Sequence, residues 1–230
     1  MNLAIIGNGR LGKAVGKAWE EAGGKVVARI GKGDRLQPSS WGADIVLESS
    51  TPSTALQNAT ACITAGLPIV IGTTGWHDKM SELTECVNAN NGYVFHATNF
   101  SIGVHLMNKL ACIMTQSLEK FPQYTPSISE THHIQKLDKP SGTAITLATE
   151  IEEAGGLANL NIESIREGEV IGKHELIFES EVDKLVLTHE AKSRLGFARG
   201  AALAASWLIE AKENNASGIY TMNDMIRDLK

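Results

Sequence analysis

The sequence predicts an α/β protein: a doubly wound parallel sheet, followed by an α+β region with a mixed sheet. Three observations carry this reading. Short apolar runs alternate with segments of helical period through the first hundred residues, as strands buried on both faces and their crossover helices do. The first run, Leu3 to Ile6, passes directly into Gly7-Asn8-Gly9-Arg10-Leu11-Gly12. From about Ser101 the rhythm changes, and 162–187 shows period-two alternation broken by turn signals such as Gly168-Glu169 and Gly172-Lys173, the pattern of antiparallel strands.

The glycine spacing G-x-G-x-x-G stands after a strand and before a helical pattern through Leu11, Val15, Ala18, Trp19 and Ala22 that Gly23-Gly24 closes. Such glycines permit a tight turn, close backbone approach to a pyrophosphate and tight helix packing, and the helix N-terminus faces the phosphates. In this context the motif marks a Rossmann-type dinucleotide site, with Gly7, Asn8, Gly9, Arg10, Leu11 and Gly12 as cofactor residues. The second strand is expected at Lys25 to Ile30. Where an acid would grip the cofactor's ribose 2′-hydroxyl, Arg29 stands, with Lys32 and Arg35 beyond it. A basic cluster suits a 2′-phosphate, so NADPH is expected at least as readily as NADH.

Asp44 to Glu48 reads as the next strand, ending in Ser49-Ser50-Thr51-Pro52, with a helix through Ala55, Ala59, Cys62 and Ile63. Strand Pro68 to Ile71 runs into Gly72-Thr73-Thr74-Gly75-Trp76. A helix at about Asp78 to Asn90 and a strand at Tyr93 to His96 lead to Ala97-Thr98-Asn99-Phe100. Both turns fall at carboxyl ends of strands, where open α/β sheets bind ligands.

Beyond Ser101 a helical pattern passes through Val104, Met107, Leu110, Ala111 and Met114. Ser127 to Glu130 alternates as a strand, and 174–178 with 184–189 read as an antiparallel pair. Helices at about Arg199 to Lys212 and Met222 to Leu229 are assigned back to the first sheet, since a parallel sheet needs both faces covered. The expected domains are therefore 1–100 with 199–230 for the dinucleotide, and 101–198 for substrate and oligomerisation.

Between strand and helix lies His132-His133-Ile134-Gln135-Lys136-Leu137-Asp138-Lys139-Pro140-Ser141-Gly142-Thr143-Ala144. Histidine supplies a proton donor or acceptor near neutral pH, and Lys136 a positive charge and a candidate general acid. The small residues Ser141, Gly142 and Thr143 open a helix running through Ala144, Leu147, Ala148 and Ile151 to Gly155-Gly156. Its first N–H groups form a seat for a carboxylate or phosphate.

Composition bounds the alternatives. At 230 residues, with 43% hydrophobic and 20% charged residues, the chain is of ordinary globular type. A net charge of -5 offers no basic field for nucleic acid. The opening residues show no basic leader or long apolar stretch, and no run approaches membrane-spanning length. Cys62, Cys86 and Cys112 are well separated without C-x-x-C spacing, and read as reduced core thiols of a cytoplasmic protein.

With these motifs placed, the chain resembles the 4-hydroxy-tetrahydrodipicolinate reductase family, also called dihydrodipicolinate reductases, along its whole length. The strongest match is His132-His133-x-x-Lys136-x-Asp138-x-Pro140-Ser141-Gly142-Thr143-Ala144. Gly72-Thr73-Thr74-Gly75, Asn99-Phe100-Ser101-x-Gly103-Val104 and Thr188-His189-x-Ala191-x-Ser193-Arg194 also agree in order and spacing. The resemblance implies NADPH or NADH as cofactor and a cyclic dicarboxylate as substrate, reduced with loss of water, in a homotetramer. It implies His132 as acid/base residue and Lys136 as proton donor, with His133, Ser141, Gly142 and Thr143 binding substrate. Gly7 to Gly12, Gly72, Thr73, Thr74 and Ala97, Thr98, Asn99, Phe100 would line the nicotinamide cofactor. The family's glycine loop often has one more residue, and its usual Asp-Phe-Thr/Ser reads Glu48-Ser49-Ser50 here.

Three rivals remain at this stage: another two-domain reductase of a small acid or aldehyde, a metal enzyme using His132, His133 and Asp138, and a nonenzymatic dinucleotide sensor. Neighbouring histidines on an extended segment point their rings apart, against the metal reading. A sensor would have no need of the His-His-Lys segment.

Overall fold

Each apolar run of the first hundred residues forms a strand whose carboxyl end carries one of the small-residue turns. The computed structural model describes residues 1–155, 160–214 and 216–228. They divide into two compact units, Met1–Phe100 with Leu195–Lys230, and Ser101–Arg194. In chain order the first unit holds β1 (Asn2–Ile6), α1 (Arg10–Glu21), β2 (Lys25–Ile30), β3 (Ile45–Glu48), α2 (Pro52–Thr64), β4 (Ile69–Ile71), α3 (Met80–Asn90) and β5 (Tyr93–His96). The second holds α4 (Ile102–Leu118), β6 (Thr125–His132), α5 (Gly142–Gly155), β7 (Asn161–Arg166), β8 (Lys173–Glu179) and β9 (Lys184–Glu190). The chain then returns to the first unit with α6 (Leu195–Asn214), β10 (Gly218–Tyr220) and α7 (Met222–Asp228).

The six strands of the first unit lie in the order β10-β5-β4-β3-β1-β2, with every neighbouring pair parallel. The strand order reverses beside β1, because β2 lies on one side of it and β3 on the other. That reversal opens a crevice at the carboxyl ends of β1 and β3, the place where such sheets take ligands. The central strands are apolar on both faces: Leu3, Ala4, Ile5, Ile45, Val46, Ile69, Val70 and Ile71 have no accessible surface.

The glycine turn is held by contact as much as by conformation. Gly7 has φ +104°, and a Cβ there would stand 2.3 Å from the Ser49 carbonyl oxygen. A Cβ at Gly12 would meet the Gly7 carbonyl at 2.4 Å and the Ser49 hydroxyl at 2.9 Å. Ser49 packs against this turn, and its hydroxyl donates to the Ile6 carbonyl at 3.3 Å.

The second unit carries a mixed sheet in the order β7-β6-β8-β9, parallel between β6 and β7 and antiparallel elsewhere. Met107 and Ala111 from α4, and Leu147, Ala148 and Ile151 from α5, cover one face over Ile128, Leu176 and Phe178. Alternation along β6 puts Ile128, Glu130 and His132 on that covered face. The apolar row of the core therefore continues straight into ionisable groups.

Three elements differ from expectation. The strand read at Ser127 to Glu130 runs on to His132, so His132 closes a strand and does not begin a loop. Helix α6 starts at Leu195, ahead of the expected Arg199; Gly196 and Gly200 weaken its signal, yet a Cβ at Gly200 would lie 1.8 Å from the Phe100 carbonyl. Strand β10 was not foreseen, being only three residues at a sheet edge. Gly156 and Leu229, the expected ends of two helices, lie outside the described residues.

Gly12→Ala should lower unfolding stability by roughly 1–3 kcal/mol, the cost of overpacking a filled site, and weaken dinucleotide binding with it. Urea unfolding and cofactor titration of the same variant check both effects.

Candidate active site

The crevice beside β1 is a cleft of about 660 Å³ walled by residues 6–9, 30–34 and 49–51 with Asn58 at its side. Helix α1 begins at its rim with Gly9 as N-cap, no side-chain cap and no acid in the first turn. Nothing lies within 4 Å of a Cβ built on Gly9. Unpaired N–H groups, the positive end of the helix and open space beside a glycine together suit a pyrophosphate. Asn8, Gly9 and Arg10 are exposed there.

Farther along the same edge, Gly72, Thr73 and Thr74 follow β4, and Ala97, Thr98, Asn99 and Phe100 follow β5. Leu11, Gly72 and Phe100 meet: a Cβ on Gly72 would fall 2.9 Å from the Leu11 side chain and 3.1 Å from the Phe100 ring. The Trp76 indole donates to the Thr73 carbonyl at 2.7 Å and so closes the turn. Thr73 is buried with its hydroxyl unpartnered, while Thr74 and Thr98 are exposed. His96, buried beside them, has its pKa pushed down to about 4 by burial and then by His77.

Arg29 is the exception among the expected cofactor residues. Its guanidinium lies along α1, so close that a Cβ on Gly16 would come within 2.4 Å of it, and it does not line the cleft. The residues at the lip after β2 are Lys32 and Asp34, with Asp34 accepting the Gly31 N–H at 2.7 Å. Alternation explains the correction: Arg29 shares the sheet face of its ladder neighbour Ile5, under α1.

In the second unit the chemistry gathers around one carboxylate. Glu130 has no accessible surface. Its Oε1 accepts the Ser141 N–H and an Arg166 N–H, each at 3.0 Å. Its Oε2 stands 3.1 Å from His132 Nδ1 and 3.9 Å from His174 Nε2. Burial works to raise the Glu130 pKa, but the donors from Ser141, Ser164 and Arg166 outweigh it and bring it to about 2. The histidines move the other way. Burial lowers His132, against the pull of Glu130, and burial with His132 as neighbour lowers His174 to about 4. The two rings meet edge to face at 5.1 Å, and burial favours the neutral form of each.

Arg166 joins this cluster to the following segment, donating from Nε to the Lys136 carbonyl at 3.2 Å and from Nη2 to the Asp138 carbonyl. The Lys136 ammonium is held by both Asp138 oxygens at 2.9 Å, and that hydrogen bond lowers the Asp138 pKa. Ser141 is 2% exposed; its hydroxyl accepts the Ala144 N–H at 3.2 Å and lies 3.3 Å from His174 Nε2. Its hydroxyl therefore caps α5. Gly142 is exposed and Thr143 half-buried at the helix start. His133, also half-buried, follows directly on the end of β6.

Glu130, Arg166, His174 and Gly172 were not singled out from sequence. A Cβ on Gly172 would come 3.1 Å from His132 Nε2, so this residue leaves room for the ring. The available signal was Glu130 two residues before His132, hence on the same strand face. Potential ligand atoms of Glu130, His132 and His174 lie within 4.8 Å of one another. A cation there would meet the Arg166 guanidinium already paired with Glu130, so these residues do not suit a metal.

Comparison with known proteins follows the same division. Residues 1–100 match the family described as dihydrodipicolinate reductase, N-terminus, and residues 103–226 match dihydrodipicolinate reductase, C-terminus. The chain belongs to the dihydrodipicolinate reductase family. A protein named 4-hydroxy-tetrahydrodipicolinate reductase from Christiangramia forsetii is 34% identical, over 100% of this chain and 99% of its own. One of the same name from Halorhodospira halophila is 33% identical, over 94% and 85%. Among solved structures, a dipicolinate-bound dihydrodipicolinate reductase from Paenisporosarcina sp. TG-14 superposes with a TM-score of 0.82 at 22% identity, over 98% of this chain and 99% of that one. That likeness establishes the two-sheet fold.

The neutral, buried His174 makes a pH prediction. Its folded pKa of about 4 lies below the unfolded value near 6.5, so its contribution is present above pH ~6.5 and is lost as pH falls through ~4. His96 acts in the same window. Stability from urea unfolding measured between pH 7 and 4 should fall, by an amount on the order of 3 kcal/mol per histidine at most, and His174→Asn should flatten the curve.

Proposed function

We propose that Lys136 and His132 carry the proton chemistry, and Gly142, Thr143 and His133 the substrate carboxylates, of a 4-hydroxy-tetrahydrodipicolinate reductase. The reaction is the NAD(P)H-dependent reduction of 4-hydroxy-tetrahydrodipicolinate to tetrahydrodipicolinate with loss of water, a step of diaminopimelate and lysine biosynthesis. The observation that supports the roles best is the presentation of Lys136. Its ammonium, a quarter exposed and held by the exposed Asp138 carboxylate, is available on the segment that leads to the helix start, while His132 is held inside.

The bound nicotinamide supplies the hydride. The dicarboxylate that receives it develops negative charge as an enamine-like anion, and a cation with a proton to give acts where that charge appears. Lys136 fits both needs. His132, neutral and next to Glu130, adjusts or relays the proton. Substrate carboxylates fit the first turn of α5, where Gly142 is exposed and the helix dipole favours an anion. In the first unit, 6–9 and the start of α1 bind the pyrophosphate, and the turns after β4 and β5 face the nicotinamide end.

Among the described residues no helix is long and apolar enough to cross a membrane, which fits the cytoplasmic setting we infer for a biosynthetic enzyme. A homotetramer is part of the same reading, and the exposed Leu185 and Val186 of the edge strand β9 suit an assembly surface.

Lys136→Ala should lower kcat by about 10² or more, as for a positioned proton donor, with cofactor affinity nearly unchanged. Near-normal kcat would remove Lys136 from the mechanism. Pyridine-2,6-dicarboxylate should inhibit competitively against substrate; competition against the nicotinamide alone would put the anion in the other unit. Since the Arg29 guanidinium packs along α1, Arg29→Glu should leave the NADPH/NADH ratio of kcat/KM within about twofold. Loss of a direct guanidinium contact to a 2′-phosphate would change it by about ten- to a hundredfold.

A further inference from the structure

A buried carboxylate with four neighbours is doing something that the reductase reaction itself does not name. We propose that Glu130 is a positioning residue: its carboxylate holds His132 as the Nδ1–H form and, through Arg166, holds the segment that presents Lys136, so that one buried charge sets both proton-handling side chains. This deepens the reading given above and rests on it.

The first half of the proposal follows from unpaired atoms. Glu130 Oε2 and His132 Nδ1 are both buried, and neither has an aligned hydrogen-bond partner. They stand 3.1 Å apart. At that distance the carboxylate oxygen repels a bare nitrogen lone pair and attracts an N–H dipole, and a small turn of the ring would align the bond, so the proton belongs on Nδ1. The Nε2 side, over Gly172, is then left as the nitrogen that exchanges a proton.

The second half follows from Arg166. One nitrogen, Nη2, donates both to Glu130 Oε1 and to the Asp138 carbonyl, and Nε donates to the Lys136 carbonyl. Without the Glu130 charge this largely covered guanidinium would keep its carbonyl acceptors but lose its counter-charge, a costly state that the segment would relieve by moving. The charged and titratable groups around His132 are Glu130 on β6, Arg166 on β7, His174 on β8, and Lys136 with Asp138 on the following segment; His189 on β9 is the ladder neighbour of His174. Glu130 is the buried anion among them. Its removal leaves His132 facing mostly cations, which disfavours the imidazolium and moves its titration to lower pH.

The decisive experiment reads the ring directly and needs no variant of Glu130. Nitrogen-15 spectra of the histidine rings, with His132 identified by the signals lost in His132→Gln, should show the proton on Nδ1. A ring protonated on Nε2 with Nδ1 bare overturns the proposal. Glu130→Gln keeps the shape and removes the charge. It should lower kcat by about 10–100-fold, as loss of an orienting partner does, with KM within about threefold, and shift the His132 limb of the pH profile downward. Glu130→Asp should restore part of kcat. An unshifted limb with normal kcat in Glu130→Gln overturns the proposal too. Turnover with a wrong tautomer would sink this proposal alone. An Nδ1–H ring in a protein that does not reduce the dicarboxylate would instead sink the functional reading, and with it the catalytic part of this one.

Discussion

The buried ion pair of Glu130 and Arg166 is the constraint on which the second unit turns. A carboxylate with no accessible surface persists only if its oxygens are satisfied. Here the partners come from three different elements: the start of α5 through Ser141, the end of β7 through Arg166, and β6 itself through His132. Meeting the need of one charge therefore fixes where a helix begins, where a strand ends and how the segment between His133 and Pro140 runs. Such a pair contributes little net stability compared with apolar packing, but breaking it on one side is expensive. Its value lies in allowing a single arrangement of the residues around it.

In the first unit the corresponding constraint is steric. Gly7, Gly12 and Ser49 crowd to distances at which no Cβ is admitted, and the loop after β1 is thereby pressed against the loop after β3. This contact narrows the crevice at the strand-order reversal into a cleft, and it leaves the open side at Gly9 for a ligand. The small Ser49 side chain belongs to the same economy of space, since it lies directly against the turn at Gly12. The helix dipole of α1 then acts on whatever anion enters, without any basic side chain buried in the turn.

Most of the fold was legible because it depends on local pattern. The limits of β2 and β5 coincide with the apolar runs that announced them, and the mixed sheet followed from alternation in 162–187. What escaped depends on long-range contact. The start of α6 was hidden by Gly196 and by Gly200, the second of which lets the helix lie against Phe100, and the edge strand β10 is too short to show a period. At the site, the residues with exposed or terminal positions, Lys136, His133, Gly142 and Thr143, could be named from the loop they share. Glu130 and His174 look like ordinary members of strands, and only the register Glu130↔His174 and His132↔Arg166 brings them into one cluster. Arg29 shows the converse. Its place at the end of a strand was right, but the face on which its side chain emerges was set by the pairing with Ile5 and could not be read from the cationic composition of the segment.

The central claim, that this chain reduces the cyclic dicarboxylate imine, is tested most directly by supplying the purified protein with the product of the preceding synthase and following NADPH and NADH oxidation in parallel. The account predicts substrate-dependent oxidation of a reduced nicotinamide, saturable in the dicarboxylate and absent without it. Tight binding of the dinucleotide with no oxidation when the dicarboxylate is present would contradict it, and would leave the chain a nucleotide-binding protein with an unused proton site.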